Sequence, residues 1–159
     1  FSRESPNKIY IEINSEGVYI FTRYIAGAGG LPVGVEGKVL LLAEDDASLL
    51  AGILIMKRGC AIIPLSFGVP KDLSVMQKFS PFPLAGLTVT ILEIEGSSLE
   101  RIARKHQAQA VVVGQTLDTF KEISVSLPVL RPLIGYTTSQ IHAELDKYRE
   151  MVKGVNRQQ

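Results

Sequence analysis

The sequence predicts an α/β fold, in which a β-hairpin precedes a Rossmann-like parallel sheet of about five strands. From residue 38 onward, short runs of Val, Ile and Leu alternate with stretches that carry apolar residues at helical spacing. Such continuous apolar runs are typical of strands that helices cover on both faces, and the intervening helices suit right-handed βαβ crossovers. Residues 8–23 instead alternate apolar and polar side chains in two segments, which is the pattern of a hairpin.

Two segments precede the predicted sheet. The hairpin is predicted over residues 8–13 and 17–23, with its turn at 14–17. A hairpin alone is only marginally stable in water, so we expect it to dock on another surface. Residues 27–37 hold five glycines and one proline, and this composition predicts a linker or a surface loop. Because the chain begins at Phe1 rather than Met, we expect its natural N-terminal portion to be missing.

The sheet and its helices are predicted in order along the rest of the chain. The apolar runs predict strands at 38–43, 60–67, 87–94, 108–114 and 126–133. Helical spacing predicts helices at 46–58, 97–106 and 138–153, and the Pro-rich segment 68–86 holds only a short helix at 73–78. In the last long helix, one apolar stripe is formed by Ile141, Leu145, Tyr148 and Val152.

The composition limits the classes of function. The 17 Lys and Arg residues against 16 Asp and Glu, in 159 residues, leave a net charge of +1. No whole-molecule field therefore favours nucleic acid or an anionic membrane, and any basic surface must be local. The single cysteine, Cys60, forms no internal disulfide, and two histidines are too few for a structural zinc site. Since no apolar run reaches the roughly 20 residues that span a bilayer, we expect a cytoplasmic protein without a membrane partner.

The turn after the first strand of a parallel sheet is a common phosphate site, because a helix N-terminus lies there. In this chain the turn reads AEDDAS, residues 43–48, with consecutive carboxylates at Glu44, Asp45 and Asp46. A phosphate turn needs glycines, so that backbone N–H groups can approach the anion, and nearby carboxylates would repel it. Carboxylates at a helix start instead cap the free N–H groups or bind Mg²⁺. We favour the capped helix over a metal site, since no further carboxylates or histidines cluster with these three in the sequence.

Three stretches carry a resemblance to a known family. GAGGLPVGVEGKVLLL, the helix end IMKRGC and the strand LPVLRPLIG occur in this order. Over about residues 8–140 the sequence resembles the tRNA 4-thiouridine synthetases, sulfurtransferases that are also linked to thiamine biosynthesis. The resemblance implies a C-terminal hairpin of a THUMP-like RNA-binding module at 1–26, a linker at 27–37 and an ATP-pyrophosphatase-like (PP-loop) domain of the adenine-nucleotide-hydrolase type at 38–159. It further implies ATP and Mg²⁺ as cofactors, tRNA as a partner, and a sulfur-donor or partner protein.

The chain departs from this family at the residues that its chemistry uses. The family's loop is Ser-Gly-Gly-x-Asp-Ser, and Ser48 is its one remaining match, since the preceding positions are Ala43, Glu44, Asp45, Asp46 and Ala47. The family's phosphate-facing lysine and sulfur-carrying cysteine have no counterpart. We therefore predict no catalytic residue, and a remnant nucleotide site at Ser48, Gly114 and Gln115.

Two groups of basic residues are candidates for contact with RNA. Lys57 and Arg58 end one predicted helix, and Arg101, Arg104 and Lys105 cluster on another. Such clusters can bind phosphates, although solvated helix faces are also often basic.

Three functions remain open from the sequence. The first is a degenerate homologue without catalysis that serves as an RNA-binding or partner-binding module. The second is an active ATP-dependent tRNA sulfurtransferase with a rearranged site, and the third is a sensor that takes an uncharged or cationic small molecule at the open end of the sheet. The carboxylates at 44–46 favour the first and permit the third.

Overall fold

The computed structural model describes residues 7–24, 29–68, 71–84, 86–89 and 96–155. Its strands are β1 (Tyr10–Asn14), β2 (Gly17–Phe21), β3 (Lys38–Leu42), β4 (Ala61–Phe67), β5 (Leu87–Val89), β6 (Ala108–Val112) and β7 (Val129–Leu130). Its helices are α1 (Asp46–Met56), α2 (Ser74–Gln77), α3 (Gly96–His106) and α4 (Thr138–Val155). No helix in these ranges is long and apolar enough to cross a membrane.

The predicted fold class is confirmed. β3 to β7 form a five-stranded sheet in the order β5-β4-β3-β6-β7, and every neighbouring pair is parallel. The chain therefore leaves β3 in one direction to build β4 and β5, and then crosses back to place β6 on the other side. Such a reversal of strand order opens a crevice at the carboxyl ends of the two central strands.

Helices cover both faces of the sheet, as the continuous apolar strands predict. In β3, Val39 and Leu41 pack into a core with α1 and α4, whereas Leu40 and Leu42 pack into a second core with α3. Alternation of side chains along a strand assigns these neighbours to opposite faces. The predicted stripe on α4 is also confirmed, because Leu145 is fully buried against α1 and the sheet.

Several predicted elements are shorter in the structure, and two of them have a local cause. The predicted strand 126–133 pairs only at Val129–Leu130, because Pro128 and Pro132 on either side have no N–H to donate to a ladder. The predicted helix 46–58 ends at Met56, and Gly59 follows in the left-handed region at φ 90°. Of the predicted strand 87–94 and linker 27–37, residues 90–94 and 27–28 lie outside the described ranges.

The hairpin of β1 and β2 is confirmed. Its turn is held by Asn14, whose Oδ1 accepts hydrogen bonds from the N–H groups of Glu16 (2.9 Å) and Gly17 (3.2 Å). One face bears a cluster of stacked and edge-on aromatic rings, formed by Tyr10, Phe21 and Tyr24. The opposite face is aliphatic and 62–75% exposed at Ile11, Ile13, Val18 and Ile20. This face has the composition of a sheet surface that normally packs against another layer.

Candidate functional site

The turn between β3 and α1 bonds three of its backbone N–H groups to its own side chains. Asp45 is the N-cap of α1, and its Oδ1 accepts a hydrogen bond from the N–H of Ser48 (2.8 Å). The buried Ser48 hydroxyl accepts from the N–H groups of Glu44 and Asp45 (3.0 Å each) and donates to the carbonyl of Asp45 (2.6 Å). The predicted capping of the helix by a carboxylate is therefore present. The N–H groups of Glu44, Asp45 and Ser48 are therefore already used by side chains and are not free to bind an anion.

The carboxylate of Asp46 forms ion pairs that connect the start of α1 to other parts of the chain. Its carboxylate oxygens lie 3.0 Å from Nη2 of Arg149 on α4 and 3.1 Å from Nζ of Lys71. The hydrogen bond from Arg149 is the main cause that lowers the pKa of Asp46, and Lys71 adds to the effect. Because these side chains are partly exposed, the network is expected to stabilise the fold by no more than about 1 kcal/mol.

The pKa of Asp46 gives a pH-dependent expectation. A carboxyl whose folded pKa lies below its unfolded value of about 3.9 stabilises the fold above that pH and loses this contribution as the pH falls through the folded pKa. We expect Asp46→Asn to flatten the acid limb of the stability curve below about pH 4, with a loss of at most about 1 kcal/mol at neutral pH. Urea unfolding from acidic to neutral pH would measure this. An unchanged acid limb would contradict the role of the network.

The remaining carboxylate of the turn, that of Glu44, faces the crevice. Desolvation is the main cause that raises its pKa, the charge of Asp45 raises it further, and Lys121 opposes both. In the described part of the chain no side chain donates a hydrogen bond to this carboxylate. A partly desolvated negative charge at this position would repel a phosphate chain.

A cleft of about 610 Å³ lies at the carboxyl ends of the central strands. Its floor is apolar and is formed by Leu42, Phe67, Leu99, Val113 and Ile123. Its rim carries Glu44, Asp45, Asp118 and Glu122 against one cation, Lys121. A volume of this size suits a small molecule, and the excess of carboxylates favours an uncharged or cationic one.

The structure brings the three predicted remnant residues together. Ser48, Gly114 and Gln115 all line the cleft. At Gly114 a Cβ atom would lie only 2.4 Å from the backbone nitrogen of Ser48, so glycine is required for the strand end to approach the helix start this closely. Gly114 therefore packs directly against the turn, which itself contains no glycine.

One wall of the cleft is the segment 115–123, and Arg131 holds it. Nε of Arg131 donates to Oε1 of Gln115 (3.0 Å), and Nη2 donates to the carbonyl of Lys121 (3.2 Å). The guanidinium also lies over the ring of Phe120, 4.7 Å from its centroid. Sequence reasoning missed Arg131, Phe120 and Lys121. The arginine stood in the LRPLIG stretch, but no spacing pattern indicates a contact with residues 115–121.

The two groups of basic residues belong to helices on opposite faces of the sheet. Lys57 lies on the face covered by α1 and α4, where its Nζ donates to Tyr148 Oη (3.2 Å). Arg101, Arg104 and Lys105 project from α3, which covers the opposite face of the sheet. RNA contact at either group stays a prediction, and the two groups belong to helices that cover opposite faces of the sheet.

The residues of the turn do not fit ATP with Mg²⁺. The N–H groups of Glu44, Asp45 and Ser48 are bonded to the side chains of Asp45 and Ser48, and the carboxylates add negative charge beside them. Across the described ranges, no group of three or more His, Cys, Asp or Glu side chains could hold a metal ion by itself, although one or two carboxylates suffice for Mg²⁺ that phosphates also bind. Cys60 is half-buried, and burial with the nearby Glu36 raises the pKa of its thiol, which disfavours a reactive thiolate.

Comparison with curated proteins finds relatives over most of the chain. The sequence is 31% identical to a probable tRNA sulfurtransferase of Natranaerobius thermophilus, over 87% of this chain and 45% of that protein. It is 32% identical to a probable tRNA sulfurtransferase of Moorella thermoacetica, over 84% of this chain and 45% of the relative. The chain thus spans about half the length of the curated relatives it matches. No family model matches the sequence.

Solved structures have the same fold. A 4-thiouridine synthetase in complex with RNA and bound ATP superposes with a TM-score of 0.71 at 27% identity, over 93% of this chain and 50% of that one. PH1313 from Pyrococcus horikoshii superposes with a TM-score of 0.70 at 24% identity, over 91% of this chain and 52% of its own. The predicted resemblance is therefore confirmed in sequence and in fold.

Proposed function

We propose that this chain is a non-catalytic RNA-binding or partner-binding module of the tRNA sulfurtransferase family. It is related to the tRNA sulfurtransferases over most of its length. The similar 4-thiouridine synthetase structure contains RNA and ATP. That similarity supports tRNA as the partner of this chain. The site itself argues against ATP and Mg²⁺ as its cofactors.

The turn at residues 43–48 carries this proposal. In a phosphate-binding turn the backbone N–H groups are free and point at the anion. Here Asp45 and Ser48 bond to the N–H groups of residues 44, 45 and 48. A triphosphate would have to displace these bonds and approach the carboxylate of Glu44, which would make binding at the turn unfavourable.

The domain boundaries form part of the same proposal. Residues 1–26 would end a THUMP-like RNA-binding module, 27–37 would link it, and 38–159 would be the PP-loop-type domain. The aliphatic face of the hairpin supports this, because its exposure of 62–75% calls for a covering layer such as the rest of a module would supply. A role in 4-thiouridine formation or in thiamine-linked sulfur transfer would then be indirect, through tRNA or a sulfur-donor protein.

Titration with ATP and Mg²⁺ in a calorimeter tests the loss of the nucleotide site. We expect no saturable binding at micromolar to low millimolar ATP. Rebuilding the family's loop with Ala43→Ser, Glu44→Gly, Asp45→Gly and Ala47→Asp should increase the affinity for ATP. Asp45→Asn is the matched control, because asparagine keeps the cap without opening the turn. Tight binding to the unaltered chain that is lost in Gln115→Leu would overturn the proposal.

The alternative is an active ATP-dependent sulfurtransferase with a rearranged site. The open cleft beside Gly114, with Lys121 at its rim, is the observation that favours it. Incubation with tRNA, ATP and a persulfide donor protein separates the two proposals. We expect no thiouridine in the tRNA, and its ATP-dependent formation would establish the alternative.

The separation of the basic residues predicts which face meets RNA. Arg101, Arg104 and Lys105 are exposed together on α3, whereas Lys57 is engaged by Tyr148. We expect Arg101→Glu to weaken tRNA binding and to reduce the slope of log affinity against log salt by about 1 for the lost phosphate contact. Arg58→Glu, the matched reversal on the other face, should change both much less. Equal effects of the two variants, measured by fluorescence anisotropy, would count against an α3 surface.

A further inference from the structure

Arg131 makes its contacts without a carboxylate partner. Across the described residues its guanidinium forms no ion pair, and its two hydrogen bonds go to Oε1 of Gln115 and to the carbonyl of Lys121. Stacking over Phe120 fixes the plane of the guanidinium as well. The planar guanidinium is thus held by two hydrogen bonds and one stacking contact, and it restricts the motion of the segment 115–121 and of the Gln115 side chain.

The contact also decides which end of the Gln115 amide is free. A guanidinium has donors and no acceptor, so only the oxygen of the amide can face it. The Nε2 group, with its two N–H donors, is then left over, and it makes no hydrogen bond with any described residue. Gln115 lines the cleft, so this donor group is placed at the wall of the cleft.

Side-chain donors are scarce in the cleft. The hydroxyl of Ser48 is used within the turn, and that of Thr119 accepts from the N–H of Thr116 (2.9 Å) and lies 3.2 Å from the Thr116 hydroxyl. The remaining polar side chains of the rim are the ammonium of Lys121 and the carboxylates. Among the side chains of the cleft, the neutral N–H donors of Gln115 therefore have few competitors for a ligand.

We propose that Arg131 is a positioning residue that sets the specificity of the cleft: it holds the Gln115 amide with its N–H donors free and so selects an uncharged ligand group that accepts hydrogen bonds. A carbonyl oxygen or a ring nitrogen has this chemistry. The inference goes beyond the proposed function, because it takes the cleft as a binding site for a small molecule and concerns Gln115 rather than the turn that excludes ATP.

Nuclear magnetic resonance of the Gln115 side-chain amide tests the positioning. We expect an order parameter near that of rigid backbone, about 0.85, in the unaltered chain, and a value below about 0.6 in Arg131→Lys. Lysine keeps the charge but cannot bond to two oxygens and stack at once, so rescue by lysine would show that charge alone matters. Arg101→Lys is the matched control and should leave the amide unchanged.

A second variant keeps the proposal testable if Arg131→Lys does not fold. Phe120→Leu removes the stacked ring and keeps both hydrogen bonds, so the order parameter should fall to an intermediate value. A mobile Gln115 amide in the unaltered chain, or a rigid one in both variants, would overturn the proposal.

Pyridine and aniline test the selection at mildly alkaline pH, where both are uncharged. Pyridine accepts hydrogen bonds at its ring nitrogen, whereas aniline of similar size chiefly donates them. Pyridine should shift the Gln115 side-chain amide signals saturably and aniline should not, and Arg131→Lys should abolish the difference. Equal shifts, or none with pyridine, would overturn the selection, and neither result depends on whether ATP binds.

Discussion

Replacement of Gly114 by alanine is expected to lower the free energy of unfolding by about 1–3 kcal/mol, the usual range for forced overpacking. The new methyl group would lie 2.4 Å from the nitrogen of Ser48 and 2.6 Å from the carbonyl carbon of Ala47. These are backbone atoms, so no change of rotamer can relieve the overlap. The start of α1 must move instead, which also strains the cap formed by Asp45.

Urea unfolding measures this effect, and Gly135→Ala is its matched control. At Gly135 an added Cβ would meet nothing within 4 Å, so that substitution should change stability by less than about 0.5 kcal/mol. If both variants were equally stable, the close approach of Gly114 to the helix start would not exist in solution.

Truncation of Leu145 to alanine is expected to have the largest effect on stability, about 2–5 kcal/mol. Leu145 has 0% exposure and lies in the core that α4 shares with α1 and the sheet. The substitution removes apolar contacts and leaves a cavity that the surrounding helices can only partly fill.

Leu117→Ala is the control for this truncation. Leu117 is 73% exposed, so removal of the same atoms should change the free energy of unfolding by less than about 0.5 kcal/mol. Thermal or urea unfolding of both variants measures the difference. A loss below about 1 kcal/mol for Leu145→Ala would contradict the position of α4 on this face.

Features that depend on neighbouring residues were predictable from the sequence. The hairpin follows from alternation over residues 8–23, and the cap of α1 follows from a carboxylate three residues before Ser48. The sheet follows from continuous apolar runs, because strands without alternating polar residues are buried on both faces. In each case the physical cause lies within a few positions along the chain.

Features that depend on the packing of distant segments were not predictable. Arg131 and Gln115 are sixteen positions apart, and their contact exists because β6 and β7 are paired in the sheet. The separation of Arg58 from Arg101 arises for the same reason, since the face that each helix covers is set by the crossover and not by its own sequence. Charge in a sequence therefore indicates basic helices, but not one basic surface.

The strand order described above also has a kinetic consequence. The central strand β3 pairs on one side with β4, which follows it closely, and on the other with β6, where Lys38 meets Ala108. Pairings between such distant residues cost loop entropy before any contact offsets it, and they slow folding. During synthesis one edge of β3 stays unpaired until β6 has been made, so the crevice is among the last features of the chain to form.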